Sequence, residues 1–499
     1  MRVDKSDIAL AALAVLSSTA YLFYSAAFYR VGFPLDDAWI HQTYARSLAQ
    51  GEGWSFEPGV VSGGTTSPFW VLLLSLGYLL QIPPFAWSFF LGIGCLVGIG
   101  ICGMRYFRQI HPSLGWLGLF LILEWHFTWA SVSGMETLLA TLIVFIVFSF
   151  LSLEKVDWGL SLLMAVSIWV RPDLITLLLP LVAHIFVRLR NEARILRSYL
   201  PVFIAMGASL AGYIAFNIGV SGTWFPTTFY AKQAEYAELR QSPFLYRFGQ
   251  QFFVALIGGG IFLLPGVLYE AYRSWREKDW NASAWLLWYL GVLGLYAVRL
   301  PVTYQHGRYI MPALAVFYTL GLKGSVFAYR WLAGRQKIGW ILSRAGVFSW
   351  IVVTLGFWGM GGSAYARDVA VIETQMVNTA KWAALSLPTR ARIAVHDIGA
   401  IGYYTEHQIL DLAGLINPEV IPFLRDEERL ARYLDEQGVD FLICFPNWYP
   451  HLTQDLEAVY IAEDWVLKEY NERPMTVYRW GLNDFISLPD PSPLMLYYR

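Results

Sequence analysis

The run Pro68-Phe69-Trp70-Val71-Leu72-Leu73-Leu74-Ser75-Leu76-Gly77-Tyr78-Leu79-Leu80-Gln81-Ile82 decides the fold, because whether it crosses a membrane sets the side on which every later segment lies. It is 15 residues long, short of the roughly 17–25 that a transmembrane helix needs, and the pair Pro83-Pro84 ends it. Longer or comparable apolar runs surround it at 8–28, 84–104, 113–130, 135–152, 157–171, 173–189, 198–219, 250–272, 283–300, 309–330 and 340–361. If 68–82 stays at the surface, four basic clusters fall on the same side as Arg2 and Lys5. These are Arg105/Arg108, Arg188/Arg190/Arg194/Arg197, Arg273/Arg276/Lys278 and Arg330/Arg335/Lys337, and the positive-inside rule puts that side in the cytoplasm. If the run crosses, every later cluster moves outside. The sequence therefore predicts about 11 transmembrane helices, a cytoplasmic N-terminus, and 68–82 as a helix in the outer interface.

Composition agrees with this reading. Of 499 residues 56% are hydrophobic and only 15% charged, against about 25% charge in soluble domains, which excludes an ordinary soluble enzyme. Charge is also divided along the chain. Residues 365–499 hold 20 acids and 11 bases, a net of −9, whereas residues 1–364 hold 17 acids and 25 bases, a net of +8. The expected architecture is a polytopic α-helical membrane protein of the cell membrane. A transmembrane domain, 1–364, carries a first external loop at 29–83, and an extracytoplasmic α/β domain follows at 365–499. That second domain reads as an amphipathic helix 367–386, then strand 392–395, short helix 398–404, strand 408–411, helix 425–437 and strand 441–444. Cys95, Cys102 and Cys444 make neither a disulfide framework nor a metal motif. The charge balance gives no footprint for nucleic acid.

This topology gathers five polar segments on the outer face: 29–67, 133–137, 171–173, 220–249 and 299–308. The most informative is Leu35-Asp36-Asp37-Ala38-Trp39-Ile40-His41-Gln42-Thr43-Tyr44-Ala45-Arg46-Ser47-Leu48. Ile40, Tyr44 and Leu48 recur at helical spacing, so a helix over 37–50 lies along the membrane surface. Asp36 and Asp37 either cap this helix or, at the mouth of a bundle, provide a tuned carboxylate base.

Taken with Val60-Val61-Ser62-Gly63-Gly64-Thr65-Thr66-Ser67-Pro68-Phe69-Trp70, the segment 34–70 resembles the first external loop of the glycosyltransferase C superfamily, in the branch similar to actinobacterial cell-wall arabinofuranosyltransferases. Other motifs follow in order: Ser133-Gly134-Met135-Glu136-Thr137, Trp169-Val170-Arg171-Pro172-Asp173, Phe225-Pro226-Thr227-Thr228-Phe229-Tyr230-Ala231-Lys232 and His306-Gly307-Arg308-Tyr309-Ile310-Met311-Pro312. His396-Asp397-Ile398-Gly399-Ala400 and Asp411-Leu412-Ala413-Gly414-Leu415 look like the branch's outer domain.

The resemblance implies an inverting glycosyltransferase. It would move a sugar, an arabinofuranose or another pentose or hexose, from a polyprenyl-phosphate donor to a cell-envelope glycan or glycoconjugate. It points to Asp36 as the base, with Asp37 orienting the acceptor or holding a divalent cation; no other cofactor is implied. Phosphate needs fixed cations, and Lys232, Arg308 and Arg171 fall in outward segments. Each also reads as an anchor reaching the lipid headgroups. His306 is a phosphate donor or a plain loop histidine. Glu136 binds sugar or caps the next helix, and His41 and Tyr230 complete the sugar or acceptor set. The rival reading is a transporter or flippase of a lipid-linked glycan, which would place polar groups at mid-membrane, commonly within repeats.

Overall fold

A computed structural model describes residues 4–189, 196–334 and 337–481. Arg2, Arg190, Arg194, Arg335 and residues 482–499 of the expected outer domain lie outside these. The chain is a helical bundle that carries a small sheet at its C-terminal end. Six of the described helices are long and apolar enough to cross a membrane, or up to seven if a bent pair counts as one span. Length and composition therefore support a multi-pass bundle, without fixing eleven crossings.

The expected spans are shortened where polar residues interrupt them. The run 113–130 is three pieces: a 3-10 turn at Pro112–Leu117, a helix Gly118–Leu123 and a helix Trp125–Ser131. The break falls at Glu124, whose extended backbone lets its carboxylate accept the Phe127 N–H and cap the second helix. The run 250–272 becomes Phe244–Val254 and Gly258–Glu277, bent by 103°. Gly258 sits at the bend with φ +89°, a conformation that favours glycine. The Trp125 indole reaches the Ile257 carbonyl at 3.4 Å, so the two breaks touch. Asp4 and Asp7 meet Arg108 and Arg105, which puts the start of the first helix and that basic cluster at one end of the bundle. The debated run is the helix Pro68–Leu79. Its 12 residues extend about 18 Å, well short of a hydrocarbon core of about 30 Å.

At the opposite end, the last apolar helix does not stop at the bundle. It runs from Lys337 to Ser386, with a π-helical stretch at Ile372–Val377, so residues 364 and 365 lie mid-helix. The π stretch is where the helix grips its surroundings. Glu373 pairs with Arg30, while Gln375 donates to the Glu463 carbonyl and accepts from Met475 N–H.

A short hairpin, β1 (Ser55–Glu57) with β2 (Val60–Val61), lies in the first loop. The C-terminal sheet comprises β3 (Arg392–Val395), β4 (Gln408–Asp411), β5 (Phe441–Cys444), β6 (Ala458–Ile461) and β7 (Thr476–Arg479) in the order β4-β3-β5-β7-β6. β3 runs parallel to β4 and β5, whereas β7 is antiparallel to both of its neighbours. Both faces are covered, as parallel strands require. Ile393, Val395 and Ile443 join the core shared with the bundle, while Ala394, Leu410 and Leu442 pack under the helix Glu427–Glu436. The strands predicted at 392–395, 408–411 and 441–444 are all present; β6 and β7 were not foreseen.

Candidate active site

Between the bundle and the sheet lies a cavity of about 1040 Å³. The helix Asp37–Ala49 forms one wall. Asp36 precedes it but does not cap it with its side chain. Its carboxylate instead crosses to the C-terminal unit, accepting the N–H of Gly399 at 2.7 Å and of Ala400 at 2.8 Å. The fit is close: a Cβ on Gly399 would lie 2.1 Å from the Asp36 carbonyl oxygen. Arg46, two to three turns along the helix, donates to the Tyr403 carbonyl at 2.7 Å and adds a second tie. Burial, and then the nearby Asp397, push the Asp36 carboxyl up to about 8 against those two N–H donors.

Asp37 faces the bundle. Arg308 bonds its carboxylate directly, and the Lys232 ammonium stands 3.6 Å from the same oxygen. Against the effect of burial, Arg308 and then Lys232 hold Asp37 below the usual carboxylate range. The Tyr309 hydroxyl sits between the two cations, accepting from Lys232 at 3.0 Å and from Arg308 at 3.2 Å. Burial opposes the change, but Arg308 and Lys232 lower its pKa. Arg308 is almost fully buried, and its Nε and Nη1 have no partner.

Local sequence explains how these groups meet. Thr227 and Thr228 donate to the carbonyls of Gly63 and Gly64, each at 2.9 Å. That fixes the start of the helix Thr227–Glu235 against the first loop and turns Lys232 inward. Beneath Arg308, the Arg171 guanidinium makes a two-pronged bond to Asp173, a 2.7 Å bond to the Tyr296 hydroxyl and a 3.0 Å bond to the Tyr309 carbonyl. Asp173 thus holds Arg171. Arg171 itself does not line the cavity, so its expected phosphate contact is replaced by a hold on the backbone that carries Arg308 and Tyr309.

The remaining predicted residues divide. His306 lines the cavity, with Nε2 2.8 Å from Asp368 on the long last helix and its ring between Trp125 and Trp129. His41 and Glu136 lie behind Asp37, 3.7 Å apart, and His41 Nδ1 meets the Thr65 hydroxyl at 3.2 Å. Burial lowers the His41 pKa. Glu136 makes no side-chain cap on the helix it precedes. Tyr230 is exposed, edge-on to Phe229 and away from the cavity. In the C-terminal unit, Asp411 accepts from Ala413 and Ile416 N–H, and Asn417 accepts from Asp411 N–H, so both serve the loop after β4.

The acid pair does not fit a divalent cation. Lys232 and Arg308 flank the Asp37 carboxylate, so a cation held by the pair would face two positive charges. Among the described residues there is no group of three or more His, Cys, Asp or Glu placed to hold a metal. The sequence reading also missed several groups on the cavity wall: Glu235, Asp368, Tyr304 and Trp448. They carry no motif of their own and reach the site only through tertiary packing.

A bundle of apolar helices, a folded first loop and a C-terminal unit that closes the cavity make a fold found among solved structures. Among solved structures of that fold, the chain is similar to ArnT from Cupriavidus metallidurans in the apo state (TM-score 0.58, 13% identity, covering 94% of this chain and 97% of that one). It is similar to the same protein bound to undecaprenyl phosphate (TM-score 0.57, 12% identity, 94% and 98%). It is also similar to the Archaeoglobus fulgidus oligosaccharyltransferase in the apo form (TM-score 0.57, 12% identity, 88% and 69%). A family model described as a domain of unknown function (DUF8728) matches residues 367–481. A sequence comparison with curated proteins finds no match.

Proposed function

We propose that the chain is an inverting glycosyltransferase that takes its sugar from a polyprenyl-phosphate donor on the outer face of the cell membrane and passes it to a glycan or glycoconjugate. The observation that carries this reading is the convergence of Lys232 and Arg308 at one point of the cavity, with two Arg308 nitrogens unpartnered. A buried arginine with a lysine beside it suits a phosphate by its chemistry. The undecaprenyl phosphate bound by ArnT, which has the same fold, favours a lipid as the source.

In this account Asp37 is the counter-ion of an empty site, and the donor phosphate displaces it from Lys232 and Arg308. Asp36 is the general base. Each of its oxygens receives one N–H and keeps a lone pair for a hydroxyl. The acceptor O–H proton passes to Asp36, the acceptor oxygen bonds the anomeric carbon, and the carbon–phosphate oxygen bond breaks with its electron pair on the phosphate. Lys232 and Arg308 stabilise that departing charge. A single displacement inverts the anomeric centre.

Residues 1–364 are assigned as the catalytic membrane domain and 365–499 as an extracytoplasmic domain, with the N-terminus in the cytoplasm. Purified protein given labelled polyprenyl-phosphate sugar and undecaprenyl-phosphate controls tests the reading. Donor that binds but is never consumed, with any acceptor glycan, would favour the transporter instead.

A further inference from the structure

The sheet of the C-terminal unit reverses its winding at β3, which has β4 on one side and β5 on the other, all parallel. In open parallel sheets, ligands sit in the crevice at the carboxyl ends of the strands around such a switch point. The residues at those ends are His396 and Asp397 after β3, and Phe445 and Trp448 after β5, and all four line the cavity.

Two of these groups are left open. Asp397 precedes the helix Ile398–Tyr404 but makes no side-chain cap on it, and its Oδ2 is buried without a partner. Trp448 is 38% exposed, although His396 braces it edge-on at 4.8 Å and Phe445 lies tilted at 4.9 Å. His396 is itself fixed by the Tyr449 hydroxyl at 2.7 Å and by Glu235 at 3.6 Å. A buried carboxylate oxygen without a donor is costly, and a sugar hydroxyl supplies a donor. An indole face offers apolar area to the C–H face of a sugar ring. Glu235, Asp397 and Glu472 outweigh Arg425 on this wall, which disfavours a second phosphate.

We propose that this wall is the acceptor subsite, where Trp448 stacks on a neutral sugar ring of the acceptor glycan and Asp397 accepts a hydrogen bond from one of its hydroxyls. The assignment rests on the glycosyl-transfer reading and gives it a second substrate position, beside Asp36.

Saturation-transfer NMR on the full chain in nanodiscs, with neutral manno-, xylo- and arabino-oligosaccharides as probes, tests it. At least one probe should bind, and Asp397→Asn and Trp448→Leu should each weaken it by about tenfold or more. Trp448→Phe, which keeps a ring, should restore part of the affinity. Undecaprenyl phosphate should bind both weakened variants as it binds the parent, while Arg308→Ala should lose the lipid and keep the sugar. Binding by none of the probes, or parental affinity in both variants, overturns the proposal. So does a loss of lipid binding that accompanies the loss of sugar, since that marks a collapsed cavity. If the parent binds oligosaccharide but not undecaprenyl phosphate, the donor reading fails, and with it the acceptor role, while sugar binding at Trp448 and Asp397 stands.

Discussion

Asp37→Asn separates a counter-ion from a structural carboxylate. The Asp37 carboxylate lies 3.6 Å from Lys232 and bonds Arg308, and its side chain is 22% exposed. At an effective dielectric of about 20, the Lys232 contact alone contributes an attraction of about 4–5 kcal/mol before desolvation is counted. Removing one member of a buried pair typically costs about 3–5 kcal/mol, because the remaining charges lose their partner. Here two cations would be left facing one another, so the empty protein should lose about 3 kcal/mol of stability. The same change relieves the donor phosphate of having to displace a carboxylate. A charge-assisted bond contributes about 1.5–3 kcal/mol, so undecaprenyl phosphate should bind roughly 10- to 150-fold more tightly. Thermal unfolding with and without undecaprenyl phosphate reads both effects: a lowered midpoint in the empty variant, recovered by the lipid. Equal destabilisation in both states, with unchanged or weaker lipid affinity, would refute the exchange of Asp37 for phosphate.

kcat/KM should rise about tenfold per pH unit and level off above about 8, because Asp36 of the free protein must lose its proton to act as base and its carboxyl is raised to about 8. The folded chain keeps a proton that the unfolded chain loses near 3.8, so stability should fall as pH rises between these values, read by midpoints across the range. Gly399→Ala puts a Cβ 2.6 Å from Asp36 Oδ2, so both hydrogen bonds to that carboxylate should break. The variant should lose about 2 kcal/mol or more and most of its turnover, while lipid binding measured by calorimetry persists. Arg171→Lys cannot span Asp173, Tyr296 and the Tyr309 carbonyl together. Lipid affinity should therefore fall about tenfold although Arg171 does not line the cavity, and equilibrium binding checks this.

Much of this arrangement is readable before any coordinates. Apolar runs, proline pairs and basic clusters reveal a bundle with polar segments at one end, since span length and charge are local properties. Short parallel strands in 392–444 announce themselves by β-branched and apolar clusters between turns. What local patterns do not carry is the break at Glu124, where a cap is bought by one backbone angle, or the antiparallel strands β6 and β7, whose four residues each give too few positions for a two-residue period to show. The Asp36-Asp37 pair shows the same limit most clearly. Two adjacent carboxylates before a helix read as a cap, yet one bonds backbone N–H groups more than 360 positions away and the other meets two cations from separate segments. Arg171 was expected at the phosphate because arginine in an outward motif is suited to it; Asp173, two residues on, turns it into a support instead. Tyr230 shares its motif with Lys232 but falls on the other side of the helix.

The central claim is transfer from a lipid phosphate with Asp36 as base, and a single measurement addresses it directly. Purified chain is supplied with labelled polyprenyl-phosphate arabinofuranose or hexose and acceptor glycan, and released polyprenyl phosphate is counted for the parent and for Asp36→Asn, with donor binding followed in parallel. Asn presents only one acceptor oxygen to the Gly399 and Ala400 N–H groups, so a modest loss of stability is expected alongside the chemical effect. The account predicts release and an inverted product from the parent. In Asp36→Asn it predicts retained donor binding and turnover lower by about 10²–10⁴. Near-parental turnover in the folded variant, or a parent that binds donor and never releases polyprenyl phosphate, would contradict it.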